Sequence, residues 1–294
     1  MHHSPEKTRV VVLCPVHRDV RFVTAQIDNY FRFHGHSGAH VLHLSSTADP
    51  EFRNLNDYLR TPAQLYLNTD SWNTSYRSVF GAVLSNSLYL REHLSGSYTH
   101  VYIHTDGDLL FCGDLLKTVA QAGNGFSCSP LGEADYWPHY ERCMDDPDFS
   151  ALRAELGLSS TELWFGRQEG AFFTADLWER IVTLALQFFD RESFANVSAH
   201  WPVEEVVIPT LAVKLLGRAR GFARPIVRTK EIRSYAGGFE EARHAEVNVV
   251  QEEDIRARLV RRATDECLGL KWFSRDLAHP ARLLVESLTQ QRMK

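Results

Sequence analysis

The segment Arg9-Val10-Val11-Val12-Leu13-Cys14-Pro15 is a continuous apolar run rich in β-branched residues, the pattern of a strand buried on both faces. A strand of that kind has to lie inside a sheet covered on each side, which restricts the chain to layered α/β architectures. The next segments agree. Arg21 to Phe33 carries Phe22, Val23, Ile27, Tyr30 and Phe31 at helical spacing, and His40-Val41-Leu42-His43-Leu44-Ser45 is a second strand, so the chain opens β-α-β. Gln64-Leu65-Tyr66-Leu67 forms a short third strand, Ser75 to Leu94 a long helix, and Tyr98 to His104 the strand after it. This alternation predicts a mainly parallel, twisted sheet with helices on both faces. With 294 residues and no clear linker, a single α/β domain is the simplest organisation.

Further along, Leu109 to Gln121 reads as a helix and Gly125 to Ser129 as a strand. Leu131 to Pro147 is aromatic, acidic and poorly periodic, which suits a loop over a site. Trp164 to Phe173 reads as extended, Asp176 to Asp190 and Val203 to Leu216 as helices, and Ala223 to Tyr235 as an Arg-rich extended segment. Helices over Asp254 to Arg262 and Pro280 to Gln290 complete the expectation.

Composition excludes several classes. A formal charge of -5 and a pI near 6.3 argue against a nucleic-acid partner. Five scattered cysteines without C-x-x-C spacing indicate neither a disulfide framework nor a zinc site. The start, Met1-His2-His3-Ser4-Pro5-Glu6-Lys7, lacks a signal-peptide core, and no run of about 18 apolar residues offers a transmembrane segment. A cytoplasmic location is expected.

The residues that could carry chemistry sit at element ends. Asp106-Gly107-Asp108 follows the Tyr98–His104 strand, at the carboxyl edge where open α/β sheets bind ligands. Two carboxylates there suit Mg²⁺ or Mn²⁺ bridging phosphates, while Asp and Gly also serve plain turns. Pro15, His17 and Arg18 follow the first strand, where a nucleotide would meet the sheet. Glu204 and Glu205 begin an apolar helix: acids there cap the helix dipole, and an acid in an apolar wall is also a candidate general base. Glu169-Gly170-Ala171-Phe172-Phe173 combines an acid, a residue permitting close backbone approach, and aromatics of core or sugar-stacking type. Arg224, Arg228, Lys230 and Arg233 form one basic cluster, and Lys271, Arg275 and Arg282 another; both are solvated faces or phosphate partners.

Together these segments resemble the core-2/I-branching-type β-1,6-N-acetylglucosaminyltransferases, especially their compact bacterial members. The resemblance runs in order through Val10–Pro15 with its helix and second strand, Asn68 to Asp114, Gly170-Ala171-Phe172-Phe173 with Trp178, Glu204-Glu205 followed by Thr210-Leu211, Ile232-Arg233-Ser234-Tyr235, and Leu270-Lys271-Trp272-Phe273. It implies a GT-A-like fold, with a nucleotide-binding half over 1–130 and an acceptor-binding, catalytic half over 131–294. The implied activity is inverting transfer of a sugar, GlcNAc among the candidates, from a nucleotide-diphosphate donor of the UDP-sugar kind to an acceptor hydroxyl. Glu205 would be the base, and Arg233 and Lys271, with Arg275 beside them, would bind the diphosphate. Asp108, Glu169, Gly170 and Glu204 would contact sugar or acceptor.

The resemblance implies no metal, yet this chain carries an Asp-x-Asp. The alternative is therefore a metal-dependent transferase holding Mn²⁺ or Mg²⁺ through Asp106 and Asp108. A haloacid-dehalogenase-like phosphohydrolase also places an Asp-x-Asp after a strand, but after the first strand of its core, which here ends in Cys14-Pro15. A non-enzymatic sugar-binding module is the remaining alternative, and it would not need Glu205.

Overall fold

The computed structural model describes residues 8–16, 19–72, 79–105, 107–133, 137, 139–195, 201–219, 221–230, 246–261 and 267–290. Strand β1 (Val10–Val16) lies at the centre of a five-stranded sheet whose other strands are β2 (Gly38–Leu44), β3 (Gln64–Asn68), β4 (His100–Ile103) and β8 (Phe172–Thr174), in the order β3-β2-β1-β4-β8. The first four are parallel, with Val10 aligned to Gly38 and to His100, and β8 joins β4 antiparallel. The chain is thus mixed α/β, with a parallel-rich sheet.

Alternation along β1 sorts the core into two faces, because successive side chains of a strand point to opposite sides. Val11 and Leu13 join Val41, Val101 and Ile103 under α2 (Phe80–His93), α6 (Ala175–Ala185) and α7 (Glu204–Leu216). Val10 and Val12 face the other way, packing with Tyr30 and Phe33 of α1 (Val20–His34) and with Leu115 and Val119 of α3 (Leu115–Ala122). Helix α1 starts at Asp19, whose side chain accepts from the Phe22 N–H, and stops at Gly35 with φ +53°.

A second, three-stranded sheet in the order β5-β10-β9 extends from the carboxyl end of β4. It combines β5 (Asp108–Leu110), β10 (Gly269–Lys271) and β9 (Val227–Thr229), with β10 antiparallel to β5 and parallel to β9. The sheet corrects one expectation. Leu109 to Gln121 is not a single helix: Asp108–Leu110 is a strand, and α3 begins only at Leu115, capped by the Asp114 side chain. Gly125 contributes isolated bridges rather than a long strand, and only β6 (Ser129–Pro130) pairs, with β7 (Trp164–Phe165). Within Leu131–Pro147 lies α4 (Tyr140–Asp145), and α5 (Pro147–Glu155) follows. Helices α8 (Glu252–Arg261) and α9 (Pro280–Gln290) close the chain. No helix among the described residues is long and apolar enough to cross a membrane.

Strand β5 is too short to hold itself, and side chains of α1 hold it. Asn29 donates from Nδ2 to the Leu110 carbonyl at 2.8 Å and accepts the Leu110 N–H at 2.9 Å, while Gln26 donates to the Asp108 carbonyl at 3.2 Å. The Tyr30 hydroxyl donates to Asp108 Oδ2 at 3.3 Å and lies 2.9 Å from the Tyr102 hydroxyl. Gln26, Asn29 and Tyr30 are spaced i, i+3, i+4, so they share one helix face. Asp108 Oδ1 completes the network as an ion pair with His104 Nε2 at 2.9 Å, both side chains buried. Burial alone would discharge the His104 imidazole, but the facing Asp108 carboxylate outweighs it and lifts the pKa to about 10.

The sign of the resulting pH dependence follows. A histidine pKa raised from 6.5 to about 10 contributes stability that is fully present below pH 6.5 and lost as the pH rises through 10. Urea unfolding of the wild type and of Asp108→Asn is expected to show a stability difference that shrinks over that interval. Gly170 supplies a second test. It has φ +73°, and a Cβ there would fall 2.4 Å from the Val227 nitrogen, so Gly170→Ala should cost about 1–3 kcal/mol in the same assay.

Candidate active site

A cleft of about 780 Å³ opens where the 126–129, 167–169 and 219–230 segments converge beside Trp272. Its lining carries Arg167, Arg224, Arg228 and Lys230 against one acid, Glu169. Lys230 is engaged at its rear, donating to the Val249 carbonyl at 2.6 Å and pairing with Asp254 at 2.7 Å. Arg167 and Arg224 are exposed at the cleft.

Helix α7 carries the acid pair close behind this wall, near Arg167 and Glu169. Pro209 lies inside the helix and has no N–H to give to the carbonyl four residues earlier, which is that of Glu205. The freed Glu205 carbonyl accepts the Gly166 N–H instead, at 2.8 Å. One turn on, Thr210 Oγ1 accepts the Trp164 N–H at 2.9 Å and donates to the Trp164 carbonyl at 3.2 Å. The defect in the helix therefore anchors the strand that leads into Arg167 and Glu169.

The three carboxyl groups at this junction differ in environment. Glu205 is half-buried, and its Oε2 accepts the Trp137 indole N–H at 3.1 Å. Burial, and then the nearby Glu169 charge, push its pKa up to about 7, against the lowering effects of Arg167, Trp137 and Lys271. Glu169 goes the other way. Burial opposes its ionisation, but Lys271 and Arg167 outweigh that and hold its carboxyl down at about 2. Glu204 is buried and pushed well above the usual carboxylate range, by burial first and then by Glu205. Its Oε1 accepts from Gln168 at 3.4 Å, and its Oε2 has no hydrogen-bond partner among the described residues. A carboxylate near pKa 7 facing an ionised one is the pairing that separates base from charged partner.

Lys271 joins this group from beneath. Its ammonium donates to Thr105 Oγ1 at 2.6 Å and to Glu169 Oε1 at 2.8 Å, and only 7 % of the residue is exposed. Next to it, Trp272 has φ +81°, a conformation a bulky side chain rarely adopts. The Gly107 carbonyl stabilises that corner by accepting the N–H groups of both Trp272 and Phe273, each at 2.9 Å.

The expected site residues thus divide. Glu169, Glu204, Glu205 and Lys271 meet at one place. Pro15 is half-buried at the end of β1. Arg275 is not among the cleft-lining residues; its guanidinium lies over the Phe22 ring at 5.0 Å. His17, Arg18, Asp106 and Arg233 lie outside the described residues. Two expectations are corrected. Asp108 is 0 % exposed and engaged by His104 and Tyr30, so it has no surface for a sugar, and its occupied oxygens do not fit a metal ligand. Gly170 is buried, its N–H bonded to the Ile103 carbonyl and its carbonyl to the Ile226 N–H, so neither backbone group is left for a ligand. Among the described residues, no group of three or more His, Cys, Asp or Glu side chains is arranged to hold a metal.

Arg167, Trp137, Thr105 and Trp272 were not singled out from sequence. Three of them leave a signal: Trp137 lies in the aromatic Leu131–Pro147 stretch expected over a site, Trp272 lies in the Leu270–Phe273 segment, and Arg167 stands two residues before Glu169 in a stretch read as extended, where i and i+2 share a face.

No protein-family model matches the chain, and no curated protein matches it. Among solved structures, it is similar to the mannosyltransferase Ktr4p from S. cerevisiae in complex with GDP, with a TM-score of 0.42 and 12 % identity over 74 % of this chain and 67 % of that one. It is also similar to the galactosyltransferase LgtC in complex with donor and acceptor sugar analogs, with a TM-score of 0.39 and 9 % identity over 96 % of this chain and 95 % of that one.

The electrostatic account of Glu205 is directly measurable. Carbon-13 NMR titration should return a pKa near 7 for Glu205. Glu169→Gln should lower it by removing a neighbouring negative charge, and Trp137→Phe should raise it by removing a donor to the ionised form.

Proposed function

We propose that this protein is an inverting glycosyltransferase of GT-A-like fold. In this reading it moves a sugar from a nucleotide-diphosphate donor, of the UDP-sugar kind, to an acceptor hydroxyl. The observation that carries the reading is a cleft lined by Arg167, Arg224 and Arg228, with the Glu205 carboxyl, of pKa about 7, held next to its lining residues Arg167 and Glu169. Arginine is suited to a diphosphate because its fork pairs phosphate oxygens and keeps its charge. A carboxylate near pKa 7 is ionised in part at neutral pH and is basic enough to take a hydroxyl proton in the transition state.

The step is a single displacement. Glu205 accepts the proton of the acceptor hydroxyl as that oxygen forms its bond to the anomeric carbon of the donor sugar. The bond from that carbon to the diphosphate breaks, and its electron pair leaves with the nucleoside diphosphate. Arg224, Arg228 and Arg167 meet the charge that develops there, an electrostatic stabilisation that fixed cations deliver without reorganisation. Arg233 follows Arg228 by five residues and belongs to the same basic set in this assignment. Lys271 acts through Glu169, keeping that carboxylate ionised beside Arg167 and Glu205.

We assign charge neutralisation to the arginines rather than to a metal because the Asp108 oxygens are engaged by His104 and Tyr30. The same engagement weighs against the phosphohydrolase alternative, which needs an accessible Asp pair. Glu205→Gln is expected to lower nucleoside-diphosphate release from UDP-sugars by about 10²- to 10⁴-fold while UDP binding by calorimetry is retained. Unchanged turnover in that variant would overturn the reading in favour of a binding module. Turnover should also persist in EDTA; complete loss restored by Mn²⁺ would replace the metal-free version.

A further inference from the structure

We propose that the buried His104–Asp108 pair is a positioning device for the cleft, acting through Thr105 and Gly107; this rests on the function proposed above. Asp108, the second carboxylate of Asp106-Gly107-Asp108, would then be neither a ligand contact nor a metal ligand.

Strand β4 ends at Ile103 and β5 begins at Asp108, so the ion pair joins the two ends of one short connection at 2.9 Å. That connection supplies two contacts to the site. Thr105 Oγ1 accepts from the Lys271 ammonium at 2.6 Å, and the Gly107 carbonyl accepts the Trp272 and Phe273 N–H groups at 2.9 Å. Lys271 also stands directly opposite Asp108 in the β5–β10 register. A shift of the connection therefore moves both ends of Lys271, its backbone through the ladder and its ammonium through Thr105.

The pair has been made rigid from the opposite side. Tyr30 donates to the free Asp108 oxygen and Gln26 to the Asp108 carbonyl, both from α1, while the His104 N–H donates to the Leu13 carbonyl of β1. Every link from the central sheet to Lys271 is thus a hydrogen bond, an ion pair or a strand pairing between buried groups. Such contacts are costly to leave half-made, so the arrangement has few alternatives. The left-handed backbone at Trp272 fits the same account, since strain of that kind persists only where surrounding structure over-determines it.

The test reads Lys271 directly. An ammonium held by Thr105 and Glu169 gives a resolved ¹⁵N–¹H signal, because its protons exchange slowly with water. Asp108→Asn is expected to lose or shift that signal in protein whose circular dichroism is unchanged. In the same variant, kcat for release of UDP from the UDP-sugar used by the wild type should fall about 10- to 100-fold with little change in KM. If Asp108→Asn does not fold, His104→Gln carries the same readout, because it keeps an amide donor toward Asp108 and removes only the charge. An unchanged Lys271 signal in the folded variant overturns the proposal, as does recovery of turnover at raised Mn²⁺, which would make Asp108 a metal ligand. If the wild type turns over no UDP-sugar, the function proposed above fails, while the Lys271 signal still decides whether the pair positions that side chain.

Discussion

A polar group taken out of water must find a partner inside the protein, and in this chain that requirement builds the corner on which the site stands. The carboxylate of Asp108 is buried without access to solvent, and it is tolerated there because His104, Tyr30 and, behind Tyr30, Tyr102 close around it. The same closure ties β5 to α1, and β5 in turn supports β10 and β9. Remove the carboxylate, and burial discharges the His104 imidazole, which is left in the core without its partner. A buried ion pair is not in itself a strong source of stability, but breaking one by deleting a single partner typically costs about 3–5 kcal/mol.

The neighbouring acids show how little separation in space is needed to assign opposite roles. Glu169 and Glu205 are neighbouring carboxyl groups, yet one is held ionised by Lys271 and Arg167 while the other is pushed toward neutrality by burial and by its neighbour. A lysine beneath one acid and the burial of the other are sufficient to divide them, even with the Trp137 indole pulling Glu205 back toward ionisation. The buried Glu204 is pushed in the same direction as Glu205, by burial first and then by Glu205 itself.

Much of the fold could be read from periodicity. The apolar runs of β1 and β2, the helical spacing of α1 and the stretch Pro280–Gln290 were all assigned close to their observed bounds, because each is long enough for its pattern to repeat. The strand Asp108–Leu110 was not, since three residues contain no period and the apolar residues after it continue into α3. Asp108 itself has the appearance of a ligand-facing residue, because it is an acid that follows an apolar run. What hides it are Tyr30 and His104, and Gln26 and Asn29 beside Tyr30 look like the solvent side of a helix when only the sequence is seen. The acid pair of α7 was legible for the opposite reason: two carboxylates heading an apolar helix stand out locally. The Gly166 bond to Glu205 was not, as it spans distant segments and depends on what Pro209 leaves undone.

The segments that carry the cleft are joined to the rest of the fold by main-chain bonds. Gly170 is bonded to Ile103 on one side and Ile226 on the other, with Val227 close against its Cα, and Gly166 is bonded to the helix that carries Glu205. Walls joined in this way do not part when a side chain is shortened or lengthened. The freedom left to evolution or to a designer lies in the side chains that line the cleft. Arg167 and Arg224 are exposed there and can be exchanged without disturbing a ladder, so a change of ligand preference in this scaffold is expected to come through charge before it comes through shape.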